Sequence, residues 1–189
     1  MFLFFDTETT GLPRNYNAPV ADLENWPRLV QLAWLLTDKN GEIVKSKDVI
    51  IKPEGFVIPE AASSVHGITT EKAQEEGIDL AEALDEFSAQ IEKSQLIIGH
   101  NISFDEKIIG AEFLRKEIEH ELFDRVRFCT MQSSTDFCQI PGAYGYKWPK
   151  LMELHYRLFN EGFDGAHDAL ADVRATARCF FEMLDRKII

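Results

Sequence analysis

Two carboxylates close to the start of the chain have the spacing of a metal site. Asp6 and Glu8 follow the apolar run Met1–Phe5, which predicts a buried strand. In a strand, side chains two residues apart point to the same face, a little under ~7 Å apart. Like charges this close repel each other unless a cation lies between them, and hard divalent cations such as Mg²⁺ bind oxygen ligands of this kind. The segment therefore predicts half of a metal site.

A third acid lies where a buried segment passes into a predicted helix. Leu96–Gly99 is apolar and short, as expected for a buried strand, and a helical pattern follows at Phe104–Lys116. Asp105 falls in the first helical turn, where the helix dipole favours a negative charge. It either caps the helix or, if Ser103 is the cap, is free for other work.

A histidine and two more acids lie at the start of the last predicted helix. Asp168 and Asp172 are four residues apart and share one helical face, where two acids repel each other unless they are compensated. His167 and Asp172 are about 140° apart on an ideal helix, so they cannot both face one site from within it. His167 is therefore predicted on the preceding loop, as either a surface histidine or a residue that swings toward Asp172. Asp168 is interpreted as an N-cap or a solvated acid.

The elements that position these residues are those of a mixed sheet with helices packed on it. Leu29–Thr37 is apolar enough to be a strand buried on both faces, and an Asn-Gly turn joins it to a strand at Glu42–Lys52, which predicts an antiparallel meander. Strands and helices then alternate. Loops are predicted at Leu12–Arg28 and Ile140–Pro149, a further strand at Val126–Cys129, and a short helix capped by Thr70. A helix is predicted at Asp79–Lys93, with inward residues Leu80, Ala83, Leu84, Phe87 and Ile91. The last helix is predicted at Ala169–Leu184, with one apolar stripe formed by Leu170, Val173, Ala177, Phe180 and Leu184.

Composition and charge narrow the class of protein. The chain has 189 residues, 45% of them hydrophobic, which is enough for one domain with a sizeable core. A net charge of −12 argues against a large basic surface for nucleic acid, but not against an enzyme that meets phosphate through bound metal. Neither a membrane span nor a signal peptide is expected. Cys129, Cys138 and Cys179 lack metal-type spacing and are expected to be either reduced thiols of a cytoplasmic protein or fillers of the core.

Taken together, three segments resemble the signature of the DEDDh (DnaQ-like) family of 3′–5′ exonucleases. FDTETTG at 5–11 supplies an acid pair, HNISFD at 100–105 supplies one acid, and HDALADVRAT at 167–176 supplies a His and an acid five residues apart. WPRLVQLAW at 26–34, VHGIT at 65–69 and KLMEL at 150–154 extend the resemblance over nearly the whole chain. It implies a ribonuclease H-like α/β fold over residues 1–189, with an antiparallel meander and parallel strands in one mixed sheet flanked by α-helices, as a single exonuclease domain.

The resemblance also implies roles for five residues. Asp6, Glu8, Asp105 and Asp172 are expected to bind two divalent metal ions, Mg²⁺ or Mn²⁺, that clamp the scissile phosphate. His167 is expected to be the general base, because an imidazole can take a proton from water at neutral pH.

Substrate contacts are expected around the first motif. The resemblance implies that Thr9, Gly11 and Leu12 line the terminal nucleotide. His66 is expected in a loop, either on the substrate side or as a polar residue that ends a strand. Phe104 either stacks on a base or packs in the core. Tyr146 and Trp148, in a predicted loop, are either ordinary loop aromatics or contacts for a single-stranded substrate.

The predicted function is metal-dependent hydrolysis of phosphodiester bonds at the 3′ ends of nucleic acids, with single strands as the expected substrate and DNA proofreading or repair favoured. Trimming of RNA is the alternative within the enzyme class. A non-catalytic module that binds nucleic acid or a polymerase is the alternative outside it. Association with a DNA polymerase is a further expectation, weakened because the chain ends at Ile189 directly after the last predicted helix. The motifs leave the oligomeric state open.

Overall fold

A five-stranded mixed sheet forms the centre of the computed structural model, which describes residues 1–189. The strand order is β3-β2-β1-β4-β5, so β1 is the middle strand. β1 pairs with β2, and β2 with β3, antiparallel, whereas β4 is parallel to both β1 and β5. The predicted mixed sheet is therefore confirmed. The strands are β1 (Phe2–Thr9), β2 (Leu29–Thr37), β3 (Ile43–Ile50), β4 (Leu96–Gly99) and β5 (Val126–Cys129).

Helices cover both faces of this sheet, because its central strands are apolar on both sides. Every residue of β2 is buried, as predicted. Odd-numbered residues of β1 such as Leu3 and Phe5 pack with α3 and α4, and even-numbered residues such as Phe4 pack with α8. The helices are α1 (Glu60–His66), α2 (Thr70–Glu76), α3 (Leu80–Lys93), α4 (Ile102–Arg115), α5 (Thr130–Ser133), α6 (Thr135–Cys138), α7 (Leu151–Phe159) and α8 (Ala169–Asp185). None of them is long and apolar enough to cross a membrane.

Several predicted helix ends differ from the structure. Thr69, not Thr70, caps α2, and its hydroxyl accepts a hydrogen bond from the Lys72 N–H. α4 begins two residues earlier than predicted, at Ile102, and its N-cap is Asn101 in the left-handed conformation with φ 73°, so neither Ser103 nor Asp105 is the cap. The predictions missed these ends because hydrophobic periodicity does not report backbone conformation at a helix terminus.

Two loop predictions and one packing prediction also need correction. The segment 60–66, which lacks a long apolar stripe, is helical, and His66 is its last residue rather than a loop residue after a strand. The predicted loop at 140–149 contains a two-stranded hairpin, β6 (Pro141–Gly142) and β7 (Gly145–Tyr146). On α8, Leu184 is 38% exposed and Met183 is buried in its place, while Val173, Ala177 and Phe180 are buried as predicted.

The three cysteines are free thiols. Cys138 and Cys179 are buried together with Leu154, Leu158 and Met183, in a small apolar cluster that joins α7 to α8. Burial raises the pKa of the Cys179 thiol to about 12. These two residues therefore act as core fillers, one of the roles expected for them.

Candidate active site

The carboxyl end of β1 presents two acids toward α8. Asp6 and Glu8 lie opposite Ala33 and Gln31 of β2, on the same face of the sheet as Phe4. On its other side β1 pairs with β4 only as far as Phe4, so the last residues of β1 project beyond the shorter strand. The open space beyond β4 is where residues of other elements reach the two acids.

Asp105 reaches this space from α4. The tight turn after β4 sets the start of the helix, since a Cβ on Gly99 would lie 3.1 Å from the Cβ of Ile102. The Asp105 side chain is almost completely buried, with the residue 3% exposed. Its Oδ1 accepts hydrogen bonds from the Thr7 N–H at 3.1 Å and from the Thr7 hydroxyl at 2.7 Å. Thr7 thus fixes the Asp105 carboxylate beside the end of β1.

Asp172 and His167 come from α8 and the loop before it. Asp168 caps the helix by accepting a hydrogen bond from the Ala171 N–H at 3.0 Å, which is the N-cap role interpreted for it. His167 lies outside the helix with φ 71°, and its N–H donates to Asp172 Oδ2 at 3.2 Å. A carboxylate oxygen of Glu8, a carboxylate oxygen of Asp172 and a ring nitrogen of His167 lie within 4.8 Å of one another. A loop position for His167 therefore allows the two side chains to meet, as the helical angle required.

The four carboxylates strongly disfavour each other's charge. Burial, and then repulsion by Asp105, Asp172 and Glu8, raise the pKa of Asp6 well above its usual value. Burial, followed by repulsion from Asp172 and Asp105, raises the pKa of Glu8 to about 8. Burial also dominates at Asp105, whose pKa is raised to about 7, and at Asp172, whose pKa is raised to about 6.

No lysine or arginine compensates these acids. None of the ion pairs of the molecule includes Asp6, Glu8, Asp105 or Asp172. Four acids that are ionised in water and have no cationic side chain nearby need positive charge from elsewhere. Their oxygens are the donor set that hard divalent cations prefer, so the residues present fit such ions.

A cleft of about 350 Å³ brings all five signature residues together. Its carboxylate and imidazole groups are Asp6, Glu8, Asp105, Asp172 and His167. The remaining lining comes from the start of α4 and from the loop after β1: Thr7, Leu12, Tyr16, His100, Asn101 and Phe104.

A second, more apolar groove of about 510 Å³ continues from the cleft. The two spaces share five lining residues: Thr7, Glu8, Leu12, Phe104 and His167. The groove contains all of the predicted substrate positions, Thr9, Gly11, Leu12, His66 and Phe104, together with Thr10, Ala61, Ala62 and Val65 of the neighbouring segments.

The predicted substrate residues are held in different ways. Leu12 is 75% exposed, although it is a large apolar side chain. The Thr9 hydroxyl donates to the Gly11 carbonyl at 2.7 Å, and Gly11 has φ 149° with open space where a Cβ would lie. His66 Nδ1 accepts from the Ile68 N–H at 3.1 Å, and burial lowers its pKa. Phe104 both packs against the core and borders the cleft, so its two interpretations describe one side chain.

Sequence reasoning missed three contributors to the site. Thr7 lies between the two acids of the first motif on the opposite face of the strand, and that alternation was the available signal. His100 donates from Nε2 to the Pro149 carbonyl at 3.0 Å, while Nδ1 lies 3.0 Å from the Thr130 hydroxyl. Burial lowers the pKa of His100 to about 4, so it is a neutral wall residue. Tyr16 lies in the long loop between β1 and β2, where no periodic sequence pattern indicates which residues face the site.

Structures of exonuclease I share this fold. The zinc-bound form of E. coli ExoI with single-stranded DNA matches with a TM-score of 0.76 at 23% identity, over 98% of this chain and 40% of that chain. E. coli exonuclease I with a dT13 oligonucleotide gives a TM-score of 0.78 at 22% identity, over 98% and 41%. The moderately thermophilic exonuclease I from Methylocaldum szegediense matches with a TM-score of 0.77 at 23% identity, over 98% of this chain and 40% of that chain. The chain spans about two fifths of the length of these proteins.

The fold and the converging acids define an exonuclease domain of ribonuclease H-like fold. The model of the RNase_T exonuclease family matches residues 3–180, and the chain therefore belongs to that family. The resemblance to DEDDh exonucleases is confirmed by this match and by the shared fold. No curated protein shows significant similarity to the chain.

Proposed function

We propose that this chain is a metal-dependent 3′–5′ exonuclease that removes nucleotides from the 3′ ends of single-stranded DNA. The observation that carries the proposal is the convergence of four carboxylates from three elements in one cleft, with no lysine or arginine paired to them. A purely structural site has no physical need for four converging acids that raise one another's pKa. This argues against the non-catalytic module.

Divalent cations account for the carboxylates. The residues that would hold them are Asp6, Glu8, Asp105 and Asp172, with Asp6 at the centre of the mutual repulsion. Two ions, Mg²⁺ or Mn²⁺, supply charge neutralisation and Lewis-acid polarisation of a phosphate ester when bound to such a set. The zinc-bound form of the E. coli ExoI complex with single-stranded DNA supports a divalent ion in this fold.

His167 is the proposed general base. Its side chain is exposed to water on the loop before α8, and its ring reaches the carboxylates of Glu8 and Asp172. In this position the imidazole can accept the proton of a water that attacks the phosphate. Asp172 accepts the His167 N–H and so holds the loop at the cleft.

The groove beside the cleft supports attack at an end of the strand. A terminal nucleotide has apolar base faces and an anionic phosphate. The apolar groove suits the base, and the carboxylates of the adjoining cleft, with cations bound, suit the phosphate. Leu12 and Val65 would pack on the base while the Gly11 backbone lies close to the sugar. The other nucleotides then leave through the cleft.

Single-stranded DNA is preferred because complexes of E. coli exonuclease I with dT13 and dA16 oligonucleotides have this fold. RNA trimming remains the alternative substrate class, and comparison of matched oligonucleotides distinguishes the two.

The test uses one 5′-labelled sequence as single-stranded DNA, duplex DNA and RNA, each with Mg²⁺, Mn²⁺ or EDTA. We expect single-nucleotide shortening of the free DNA strand with either metal, and none with EDTA. A 3′-blocked strand should be resistant. Rapid internal cleavage of the blocked strand would make the protein an endonuclease, and faster cleavage of RNA would reverse the substrate assignment.

The matched variant is Asp6→Asn. We expect its kcat to fall by roughly 10³-fold or more, because metal-ion catalysis contributes several kcal/mol. The variant should stay folded by circular dichroism, since Asn removes repulsion from the cleft. Full activity of Asp6→Asn would contradict the proposal.

A further inference from the structure

The hairpin after α6 carries exposed aromatic side chains that the site described above does not use. Tyr144 at its tip is fully exposed, and Tyr146 and Trp148 are 51% and 59% exposed. Three large rings within five residues form an aromatic surface, and such exposed clusters mark binding sites. We call Tyr144, Tyr146 and Trp148 the aromatic hairpin.

The base of the aromatic hairpin is firmly attached to α7. Lys147 Nζ donates to both carboxylate oxygens of Glu153 on α7, at 2.7 and 2.9 Å. The backbone N–H of Lys147 donates to the Ile140 carbonyl at 2.9 Å and closes the hairpin. Since side chains alternate along an extended segment, Tyr146 and Trp148 point away from α7. The rings are therefore presented to solvent from a fixed base.

One side chain connects this base to the cleft. Pro149 is buried, and its carbonyl accepts a hydrogen bond from His100 Nε2 at 3.0 Å. His100 lines the cleft together with Asp6 and Asp105. The aromatic hairpin thus begins at the wall of the cleft.

The lining residues order three surfaces along the molecule. The apolar groove does not include His100, although it shares Thr7, Glu8, Leu12, Phe104 and His167 with the cleft. The aromatic hairpin, in contrast, is joined to the cleft through His100. The cleft therefore lies between the groove and the aromatic hairpin. A strand whose last base lies in the groove and whose scissile phosphate lies at the carboxylates would continue past His100 onto the rings.

The local charge adds one cation that can face a polyanion. The segment 139–150 contains no Asp or Glu, and of its two lysines Lys147 is paired with Glu153, which leaves Lys150 for a phosphate. Aromatic rings bind successive bases by stacking without regard to sequence, and flanking cations attract the phosphates.

We propose that the aromatic hairpin binds the unpaired nucleotides of the DNA strand whose 3′ end lies in the cleft, with bases stacked on Tyr146, Trp148 and Tyr144. This inference rests on the proposed function, because it takes its occupant from that substrate. It adds a second binding surface, which makes turnover depend on strand length.

The experiment compares a dT dinucleotide with dT12 as substrates. Each of Tyr146→Ala and Trp148→Ala should lower kcat/KM on dT12 by roughly tenfold, through KM, since one stacked base contributes about that factor. Both variants should cleave the dinucleotide at the wild-type rate. Trp148→Phe should restore most of the loss. Tyr156→Ala is the matched control, because Tyr156 is equally exposed but lines a different groove on α7.

A direct binding measurement separates this inference from the proposed function. Fluorescence anisotropy of labelled dT12 in EDTA should show roughly tenfold weaker binding for each alanine variant. If the wild type hydrolyses no oligonucleotide, the proposed function fails and the anisotropy result alone decides the inference. Unchanged binding and kcat/KM, an equal loss on both lengths, or a changed sedimentation coefficient that reveals a dimer contact would each overturn it.

Discussion

Two buried carboxylates on α4 have opposite surroundings. Glu112 is completely buried, and its Oε1 accepts hydrogen bonds from Arg28 Nε and from the Leu29 N–H, both at 2.9 Å, while Arg115 lies 3.0 Å away. Asp105, about two turns earlier on the same helix, has Thr7 as its hydrogen-bond partner and other acids around it. One helix thus carries a buried acid that is neutralised within the protein and another that is not.

The difference separates structural from functional charge. The acid that has arginine partners ties α4 to the start of β2 and to the loop before it, because Arg115 also donates to the Leu23 and Trp26 carbonyls. The acid without such partners destabilises the metal-free fold and has a use only if a cation binds. A buried acid is therefore a candidate metal ligand when its neighbours are acids, and a structural residue when they are arginines.

The largest expected effect on stability comes from the paired acid. Glu112→Gln removes the charge that compensates Arg28 and Arg115, which are only 25% and 15% exposed. Loss of one partner of a buried ion pair costs about 3–5 kcal/mol, and we expect that decrease in the free energy of unfolding by urea denaturation. The folded fraction should retain nuclease activity. A change below about 1 kcal/mol would show that the pair is not structural.

The unpaired acids should give the metal-free protein an unusual pH dependence. The folded-state pKa values of Glu8, Asp105 and Asp172 are raised to about 8, 7 and 6. Between pH 4.5 and 8 the folded state therefore holds more protons than the unfolded state, so stability falls as pH rises. After allowance for partial exposure we expect a loss of roughly 2–3 kcal/mol across this window.

This slope is measured by urea unfolding in EDTA. It should flatten with Mn²⁺ present, because bound cations offset the charge of the acids. It should become shallower in Asp6→Asn, which removes one of the acids whose pKa is raised. Glu112→Gln should lower stability at every pH and keep the slope. If the metal-free protein were as stable at pH 8 as at pH 5, the two kinds of buried acid would not differ as described.

The sequence predicted much of the frame on which this contrast depends. The bounds of β2 and β4 matched the apolar runs Leu29–Thr37 and Leu96–Gly99, because buried strands leave an uninterrupted hydrophobic signal. The helical angle between His167 and Asp172 placed the histidine on the loop. The expected set of four acids and a base came from the order of three motifs, since no local pattern shows that residues 6, 105 and 172 meet.

What the sequence did not predict depends on backbone geometry and long-range contacts. The left-handed N-cap at Asn101 and the short helix α1 have no periodic signal. The ion pair between Arg28 and Glu112 joins residues 84 positions apart in the chain. The local sequence around either residue does not indicate its partner. The same holds for Thr7, whose partner Asp105 is 98 positions away.

Substitution of Thr7 tests the role of Asp105 with a smaller expected effect. Thr7→Val keeps the shape of the side chain but removes the hydroxyl that donates to Asp105 at 2.7 Å. Loss of a group that orients a metal ligand typically costs 10–100-fold in metal affinity, and we expect that factor in the Mn²⁺ dissociation constant from calorimetry. Thr7→Ser retains the hydroxyl and should bind like the wild type. Equal affinities for all three proteins would mean that Thr7 does not position Asp105.

The smallest expected effect distinguishes two acids on α8. Asp168 and Asp172 are one turn apart, but Asp168 accepts the Ala171 N–H as N-cap whereas Asp172 turns to Glu8 and His167. Asp168→Ala should lower the free energy of unfolding by about 1 kcal/mol, the usual cost of a lost cap, and Asp168→Ser should restore it. The net loss will be smaller in EDTA, because Asp168 also contributes to the repulsion at Asp6 and Glu8. Activity of the folded variant should stay within a few-fold of wild type, measured on dT12. A loss as large as that of Asp6→Asn would make Asp168 a fifth functional acid and would remove the distinction between the capping carboxylate and the proposed metal ligand on this helix.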